Sequence, residues 1–344
     1  MRLRVSDRRG DPLADGRGGQ RQAMLIDIDK PVARLTPMQL VKRLHPAAWS
    51  HVGVDGLLPR LKKLQLPLIE NRDLPESLGR VGSLEVRLAH SAKEIRHAQR
   101  LRYKVFYEEM SAIPSASSML ARRDMDAFDA ICDHLLVIDH APRLNRFKKA
   151  KPRVVGTYRL LRQDIAEQNF GFYTASEYGV DELLQRNPGA RFLELGRSCV
   201  LKPYRNKRTV ELLWHGIWQY ICHHGIDIMI GCASLEGTNA ERLSLPLSFL
   251  HHYAAAPADN RAAALPARYV SMNRMPKHEI DTRAALHALP PLIKGYLRLG
   301  ATFGDGAVID RQFGTTDVMV ILRTADIGQR YVSHYHSSVI KRAA

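Results

Sequence analysis

Residues 190–234, ARFLELGRSCVLKPYRNKRTVELLWHGIWQYICHHGIDIMIGCAS, constrain the fold more than any other stretch of the chain. Phe192, Leu193, Leu195 and Val200 form an apolar run of the length of a buried strand. The loop KPYRNKRT follows, and Arg208 or Thr209 is expected to open a helix. Val210, Leu213, Trp214, Ile217, Tyr220 and Ile221 recur at helical spacing and give that helix an apolar face. Gly225 suits the left-handed residue after its end. IDIMIGCAS is then a second strand. A connection of this length fits a right-handed crossover between parallel strands.

Two features of this unit are out of place in a purely structural segment. Glu194 and Arg197 stand inside the first strand, where a core strand rarely carries charge. Residues three apart on a strand face opposite sides, so these two share a face only if a bulge intervenes. The loop before the helix carries Lys202, Arg205, Lys207 and Arg208. A helix N-terminus offers free N–H groups and a positive dipole end, so an anion such as phosphate would meet backbone donors and cations together. A solvated basic loop is the plain alternative. Neither GxxxxGK[ST] nor GxGxxG is present here.

The chain has 344 residues, enough for one large domain or two small ones, with 45% hydrophobic and 25% charged residues. Its net charge of +16 points to an acidic partner: nucleic acid, an anionic membrane or an acidic protein. Cys132, Cys199, Cys222 and Cys232 lie in apolar runs without CxxC spacing and read as reduced core residues of a cytoplasmic protein. No apolar run is long enough to cross a bilayer. The adjacent pairs His223-His224 and His251-His252 are not spaced as ligands on one face, so no metal is expected.

Residues 1–35 are polar, rich in Gly and Arg, and expected to be disordered. Residues 36–82 read as a helical N-terminal arm with interleaved cations, packed on the main domain or lying on a membrane surface. From 83 to 325 the pattern is regular, and 326–344 form a tail. SLEVRLA alternates as a strand. Ser91 and Glu94 form a capping box for a helix to about Met110. Residues 111–130 read as a loop. CDHLLVIDH and RVVGTYRLLR pair as an antiparallel hairpin around a basic insertion. Asn239–Tyr253 reads as a helix interrupted at Pro246, and 254–266 as an exposed linker or loop. The segment from Leu289 closes the fold with a helix and two short strands. This order predicts an α/β domain with a mixed sheet.

Charge recurs beside apolar runs at Arg102, at Asp124, Asp126 and Asp129, at Arg159, and at Glu194 with Arg197. Buried charges of this kind often mark a site, although a purely structural ion network is the alternative. Arg102-x-x-x-Phe106, Asp126-x-x-Asp129, the lone Arg159 and Glu194-x-x-Arg197 together resemble the acyl-homoserine lactone synthase branch of the GNAT acyltransferases. That branch has a Trp shortly after the Phe, and YEEMSAI has none. A fuller resemblance, over roughly residues 84–325, is to the hemolysin-like ornithine lipid N-acyltransferases. It is carried by LRYKVFYEEM, DAICDHLLVID, GTYRLL, LELGRSCV, GCASLEGT and LIKGYLRLGATFGDGAVIDRQFGTTDVMVIL.

The resemblance implies a GNAT fold, with a splayed parallel strand pair in a mixed sheet flanked by helices. It implies transfer of a 3-hydroxyacyl group from acyl carrier protein to the α-amine of L-ornithine, with no permanently bound cofactor. Glu194 is then the expected base, acting directly or through a water. A backbone N–H near Ser198 or Cys199 would meet the oxyanion, with Arg197 beside them. Arg102, Arg159 or Arg197 would pair with the acceptor carboxylate. Asp126 and Asp129 would hold its side-chain ammonium or orient the arginines, and Phe106 lies in the same set. Lys202, Arg205, Lys207, Arg208 and Thr209 would receive the carrier and its phosphate. A peripheral contact with an anionic membrane, at the inner face of the bacterial inner membrane, is a further expectation. Acyl-homoserine lactone synthesis is the nearest alternative reaction. Nucleic-acid binding is the alternative of a different class, but the cations lack the interleaved aromatics it calls for.

Overall fold

The computed structural model describes residues 74–141 and 151–327. The expected N-terminal tail, most of the arm, the basic insertion and most of the C-terminal tail lie outside these residues. Among the described residues, nine strands make one sheet: β1 Gly79–Val81, β2 Leu84–Leu88, β3 Asp133–Asp139, β4 Arg153–Arg162, β5 Phe192–Val200, β6 Ile228–Glu236, β7 Tyr269–Val270, β8 Thr302–Asp310 and β9 Thr315–Arg323. Their order across the sheet is β1-β2-β3-β4-β5-β6-β9-β8-β7. Every neighbouring pair is antiparallel except β5 and β6.

The parallel pair stays together only briefly. Phe192, Leu193 and Glu194 face Ile228, Met229 and Ile230. Beyond that register β5 continues beside β4, and β6 continues beside β9. Gly231 stands where they part: a Cβ there would lie 2.4 Å from the Leu195 carbonyl oxygen, closer than any side chain tolerates. Glycine therefore permits the last close approach before the gap opens.

The crossover helix α5 (Lys207–His224) joins the two strands; the earlier helices are α1 (Ala92–Tyr103), α2 (Ala116–Ala121), α3 (Gln163–Gln168) and α4 (Val180–Arg186). Asn206 caps α5, and Gly225 ends it at φ 57°, in the left-handed region as expected. The helix begins one or two residues earlier than Arg208 or Thr209. It buries Leu213, Trp214, Ile217, Tyr220 and Ile221 against β1–β4, with Gly216 close on Val86. Val210, expected on that face, is 44% exposed. Tyr178, Leu183, Phe192, Ile228 and Met319 belong to a second apolar cluster.

Ser91 caps α1 by accepting from the Glu94 N–H at 3.3 Å. The Glu94 carboxylate accepts from the His90 N–H at 2.8 Å rather than from Ser91, so the expected box closes one residue early. α1 runs on as a π-helical turn over Lys104–Glu109.

Several sequence readings need correction. Residues 111–130 contain α2 and a 3₁₀ turn at Ala127–Ala130. α6 (Ser244–Tyr253) is continuous because Pro246 sits in its first turn, where a missing N–H costs nothing. Residues 254–266 form a loop, exposed at Pro257–Asp259 but held to the sheet elsewhere rather than free as a linker. Ala256, Ala262 and Ala264 are buried, and bridges at Ala255 and Ala263 tie the segment to Phe303 and Asp305. Two further helices, α7 (Thr282–Ala288) and α8 (Pro291–Leu299), precede β8 and β9, which are nine residues each rather than short. Cys132 and Cys199 are buried, but Cys222 is exposed, so the cysteines are not uniformly core residues.

Candidate active site

A cavity of about 1460 Å³ opens where β5 and β6 separate. Its walls take Glu194, Arg197, Ser198 and Cys199 from β5 and Cys232 and Ser234 from β6. Asp310, Phe313 and Asp317 come from the β8–β9 hairpin, and Phe106 and Met110 from the π-helical end of α1. Such a gap in a sheet exposes edge groups to a ligand, while β5 stays paired with β4 apart from one irregularity and β6 stays paired with β9.

The bulge needed to bring Glu194 and Arg197 together is present. Thr157 faces Cys199 and Arg159 faces Gly196, so β5 carries one more residue than β4 across that interval. Arg197 takes φ 50°, unusual for a residue with a side chain. Its guanidinium lies 4.9 Å from the ring centres of both Tyr173 and Phe313.

Three arginines and three aspartates are interlocked behind this wall. Arg102, fully buried, donates from Nε to Asp124 Oδ2 at 2.7 Å and from Nη2 to Asp129 Oδ2 at 2.8 Å. Arg159 pairs with Asp126 and, at 3.3 Å, with Asp129. Arg197 is held more loosely, 3.5 Å from Asp124 and 3.5 Å from Asp126. Gln99 and the Tyr107 hydroxyl donate to Asp129 and Asp124. Burial alone would raise both carboxyls, yet Arg102 with Arg159 holds Asp129 far below its ordinary value, and Arg102 with Arg197 lowers Asp124. Their charge is therefore already neutralised.

This sorts the expected residues. Arg159, Arg197 and Phe106 line the cavity; Arg102, Asp126 and Asp129 do not. Arg102 has no exposed surface to offer a substrate, and Asp126 and Asp129 are committed to arginines rather than to an ammonium group.

Glu194 is 4% exposed. Its two oxygens accept the Tyr173 N–H at 2.9 Å and the Thr174 N–H at 2.7 Å. Burial raises its pKa, and those hydrogen bonds restrain the rise. Farther along β5, Ser198 bonds the Tyr158 hydroxyl, which lies 3.1 Å from the Tyr296 hydroxyl. The Cys199 thiol is pushed up to about 12 by burial, and burial also raises Cys132 and Cys232. None is a thiolate nucleophile near neutral pH.

A second group of carboxylates was not singled out from sequence. Oxygens of Glu177, Asp310 and Asp317 lie within 4.8 Å of one another. Burial, then Asp317, raises Glu177 to about 7. Burial likewise raises Asp317. Glu177 has Arg268 at 3.4 Å and accepts from the Cys232 thiol at 3.4 Å. Unlike the arginine-locked aspartates, these three carboxyls have only Arg268 in an ion pair among the described residues. The raised values of Glu177 and Asp317 show that their charged forms lack the counter-charge that a ligand ammonium or a hard cation would supply. The three lie up to 140 residues apart, but Asp317 stands alone in the apolar run TTDVMVIL, the same signal that marks Glu194.

At the cavity mouth stand Arg205, Lys207 and Arg298. Arg205 also pairs with Glu109. Lys202 and Arg208 are exposed but do not line the cavity. Thr209 drops out of the expected anion-binding set: it is fully buried, and both its N–H and its hydroxyl are donated to Asn206 Oδ1.

Comparison with known proteins agrees with this architecture. Residues 101–215 match the family described as acetyltransferase (GNAT) domain. The chain is 53% identical over 257 residues to an L-ornithine N(alpha)-acyltransferase of Agrobacterium fabrum, covering 75% of this chain and 86% of that protein. It is 54% identical over 258 residues to the Rhizobium meliloti protein of the same name, covering 75% and 86%. To that of Rhodobacter capsulatus it is 42% identical over 253 residues, covering 74% and 95%. A solved N-acyl amino acid synthase from uncultured soil microbes aligns with 70% of this chain and 91% of its own, at 12% identity and a TM-score of 0.39. With a GNAT domain, a sheet parted at its single parallel pair and relatives of this identity, the chain is an acyltransferase and belongs to the L-ornithine N(alpha)-acyltransferase family.

Proposed function

We propose that this enzyme transfers a 3-hydroxyacyl group from the phosphopantetheine thioester of acyl carrier protein to the α-amine of L-ornithine, giving lyso-ornithine lipid. The observation that carries the reading is the charge arrangement in one cavity. A guanidinium, Arg197, faces it from β5, and the carboxyls of Asp310 and Asp317 face it from the β8–β9 hairpin. Ornithine carries a carboxylate and a second ammonium, and this cavity offers a partner for each. The names of the relatives give the same acceptor. Arg205, Lys207 and Arg298 at the mouth suit the acidic carrier and its phosphate.

In this reading the thioester lies in the gap between β5 and β6. Glu194, raised by burial, takes a proton from the α-ammonium, directly or through a water. The neutral amine attacks the thioester carbon, a C–N bond forms, and the carbonyl oxygen becomes an oxyanion met by backbone N–H of the parted strand near Ser198 and Cys199. The oxyanion re-forms the carbonyl as the C–S bond breaks, the second proton of the attacking nitrogen passes to the departing carrier thiol, and Glu194 returns the first to solvent. No covalent acyl-enzyme is needed, in keeping with cysteines that stay protonated. Holding amine and thioester together supplies much of the rate. Arg102, Asp124 and Asp129 act behind the site: they hold the wall on which Arg197 is mounted.

The test is direct. Purified protein is given 3-hydroxyacyl carrier protein or the matching acyl-CoA, with ornithine, in EDTA, and products are identified by mass. N-acylornithine from the carrier substrate, undiminished by EDTA, is expected. No acyl transfer to ornithine from either donor would overturn the reading; transfer from acyl-CoA alone would overturn the carrier assignment.

A further inference from the structure

The loop and short helix between α1 and β3 expose an unusual amount of apolar side chain. Met110 is 53% exposed, Ile113 65%, Met119 59% and Leu120 90%. Soluble surfaces scatter such residues singly; here four fall within one short segment. The segment is firmly mounted. The Ile113 N–H donates to the Gln312 carbonyl at 2.7 Å, and the Asp124 N–H to the Gln99 carbonyl at 3.0 Å. Ser115 caps α2 by accepting from the Ser118 N–H. The apolar tip is therefore held out in a fixed position.

Cations border it. Lys93, Arg96 and Arg100 on α1, and Lys104 at the start of its π-helical extension, are exposed at spacings of three, four and four, which places them in one stripe. None of these four takes part in an ion pair among the described residues. Arg122, at the end of α2, pairs with Glu108 one turn beyond Lys104, and Arg123 donates to Gln99, so the apolar segment lies beside the end of this stripe.

We propose that the α2 tip and the cationic stripe of α1 form a docking surface for an anionic lipid bilayer. Ile113, Met119 and Leu120 would enter the boundary between headgroups and chains, and Lys93, Arg96, Arg100 and Lys104 would lie over the anionic headgroups. Charge complementarity alone would also admit an acidic protein. A side chain as exposed as Leu120 at the tip of a six-residue helix fits insertion into a soft interface better than a rigid protein face. The surface is continuous with the active cavity, because Met110 belongs to both. Its use, release of a single-chain acylated product straight into lipid, rests on the proposed reaction; the docking itself does not.

The full chain is sedimented with vesicles of phosphatidylcholine alone or with about one third phosphatidylglycerol, at low and high salt. The variants are Ile113→Ser/Met119→Ser/Leu120→Ser and Lys93→Gln/Arg96→Gln/Arg100→Gln/Lys104→Gln, each checked for native circular dichroism. The expected result is salt-sensitive binding to the anionic vesicles, weakened about tenfold or more in each variant. Transfer from soluble acyl donor without vesicles should stay within about twofold of wild type in both variants. Failure of the full chain to bind anionic vesicles overturns the proposal, and so does undiminished binding by both variants. Unchanged vesicle binding with a raised half-saturation for the carrier would overturn it in favour of a carrier-docking face. Loss of acyl transfer by the wild-type chain would refute the reaction while leaving the vesicle result to stand on its own.

Discussion

Arg102 and Asp124 are joined twice: Nε of Arg102 donates to Asp124 Oδ2 at 2.7 Å, and Nη2 donates to the Asp124 carbonyl oxygen at 2.6 Å. These two hydrogen bonds, one to the Asp124 side chain and one to its backbone, fix the loop before β3 to α1. Full burial, with Nη2 also bonded to Asp129, leaves Arg102 no exposed face for a substrate. Arg102→Ala strands Asp124 and Asp129 in the interior without their main counter-charge. Breaking a buried pair from one side costs about 3–5 kcal/mol. Chemical denaturation should show a loss of that order. A variant with wild-type stability and a selectively raised half-saturation for ornithine would return Arg102 to the substrate site.

Arg197 behaves differently, because it lines the cavity and its aspartate contacts are long. Arg197→Ala should raise the half-saturation for ornithine by about 10- to 100-fold, the loss of one charge-assisted hydrogen-bonding group. Its effect on the carrier half-saturation should stay within about threefold. Steady-state kinetics with each substrate varied in turn separate the two; the reverse pattern would move Arg197 to the donor side.

Glu194→Gln tests the proton acceptor. Gln keeps one carbonyl oxygen for the Tyr173–Thr174 amides but turns an NH₂ toward the other donor, so a stability loss of about 1–3 kcal/mol is expected. Turnover should fall about 100-fold or more at saturating substrates. Near-normal turnover at neutral pH would confine Glu194 to anchoring that turn.

Glu177 gives a pH signature. Its folded-state pKa, about 7, lies above the ordinary carboxyl value of 4.5. A raised carboxyl favours the folded state while protonated, so its contribution is complete below about 4.5 and is lost as pH climbs through about 7. By linkage the whole effect is on the order of 3 kcal/mol. Glu177→Gln should therefore gain stability relative to wild type as pH rises from 5 to 8. His134, lowered by burial to about 4, acts in the opposite direction in both proteins and cancels in the difference. A difference in melting temperature that stays flat across this window would contradict the raised pKa.

The β5–α5–β6 unit and the bulge were legible because period and charge placement are local signals: two charges three apart in a strand share a site only through an extra residue, and Arg197 supplies it. The three-arginine lock was legible as a set of residues, but not as a lock, because whether Arg102 faces a ligand or Asp124 depends on packing across 22 residues. Glu177, Asp310 and Asp317 stayed hidden because they meet only after β6 and β9 pair. Residues 254–266 were legible as a loop from their Ala and Pro content, but not the pairing by which the backbone of Ala255 and Ala263 completes an edge beside β8.

The ratio of kcat/KM for ornithine to that for norvaline, ornithine without its terminal amine, tests the cationic-acceptor reading most directly. A site built to pair the second ammonium rejects the analogue by about 1000-fold or more. In the Asp317→Asn enzyme the ratio should shrink by at least about tenfold, mainly through slower reaction with ornithine. Equal use of norvaline and ornithine by the wild-type enzyme would contradict the placement of the acceptor between Arg197 and the carboxylates of the β8–β9 hairpin.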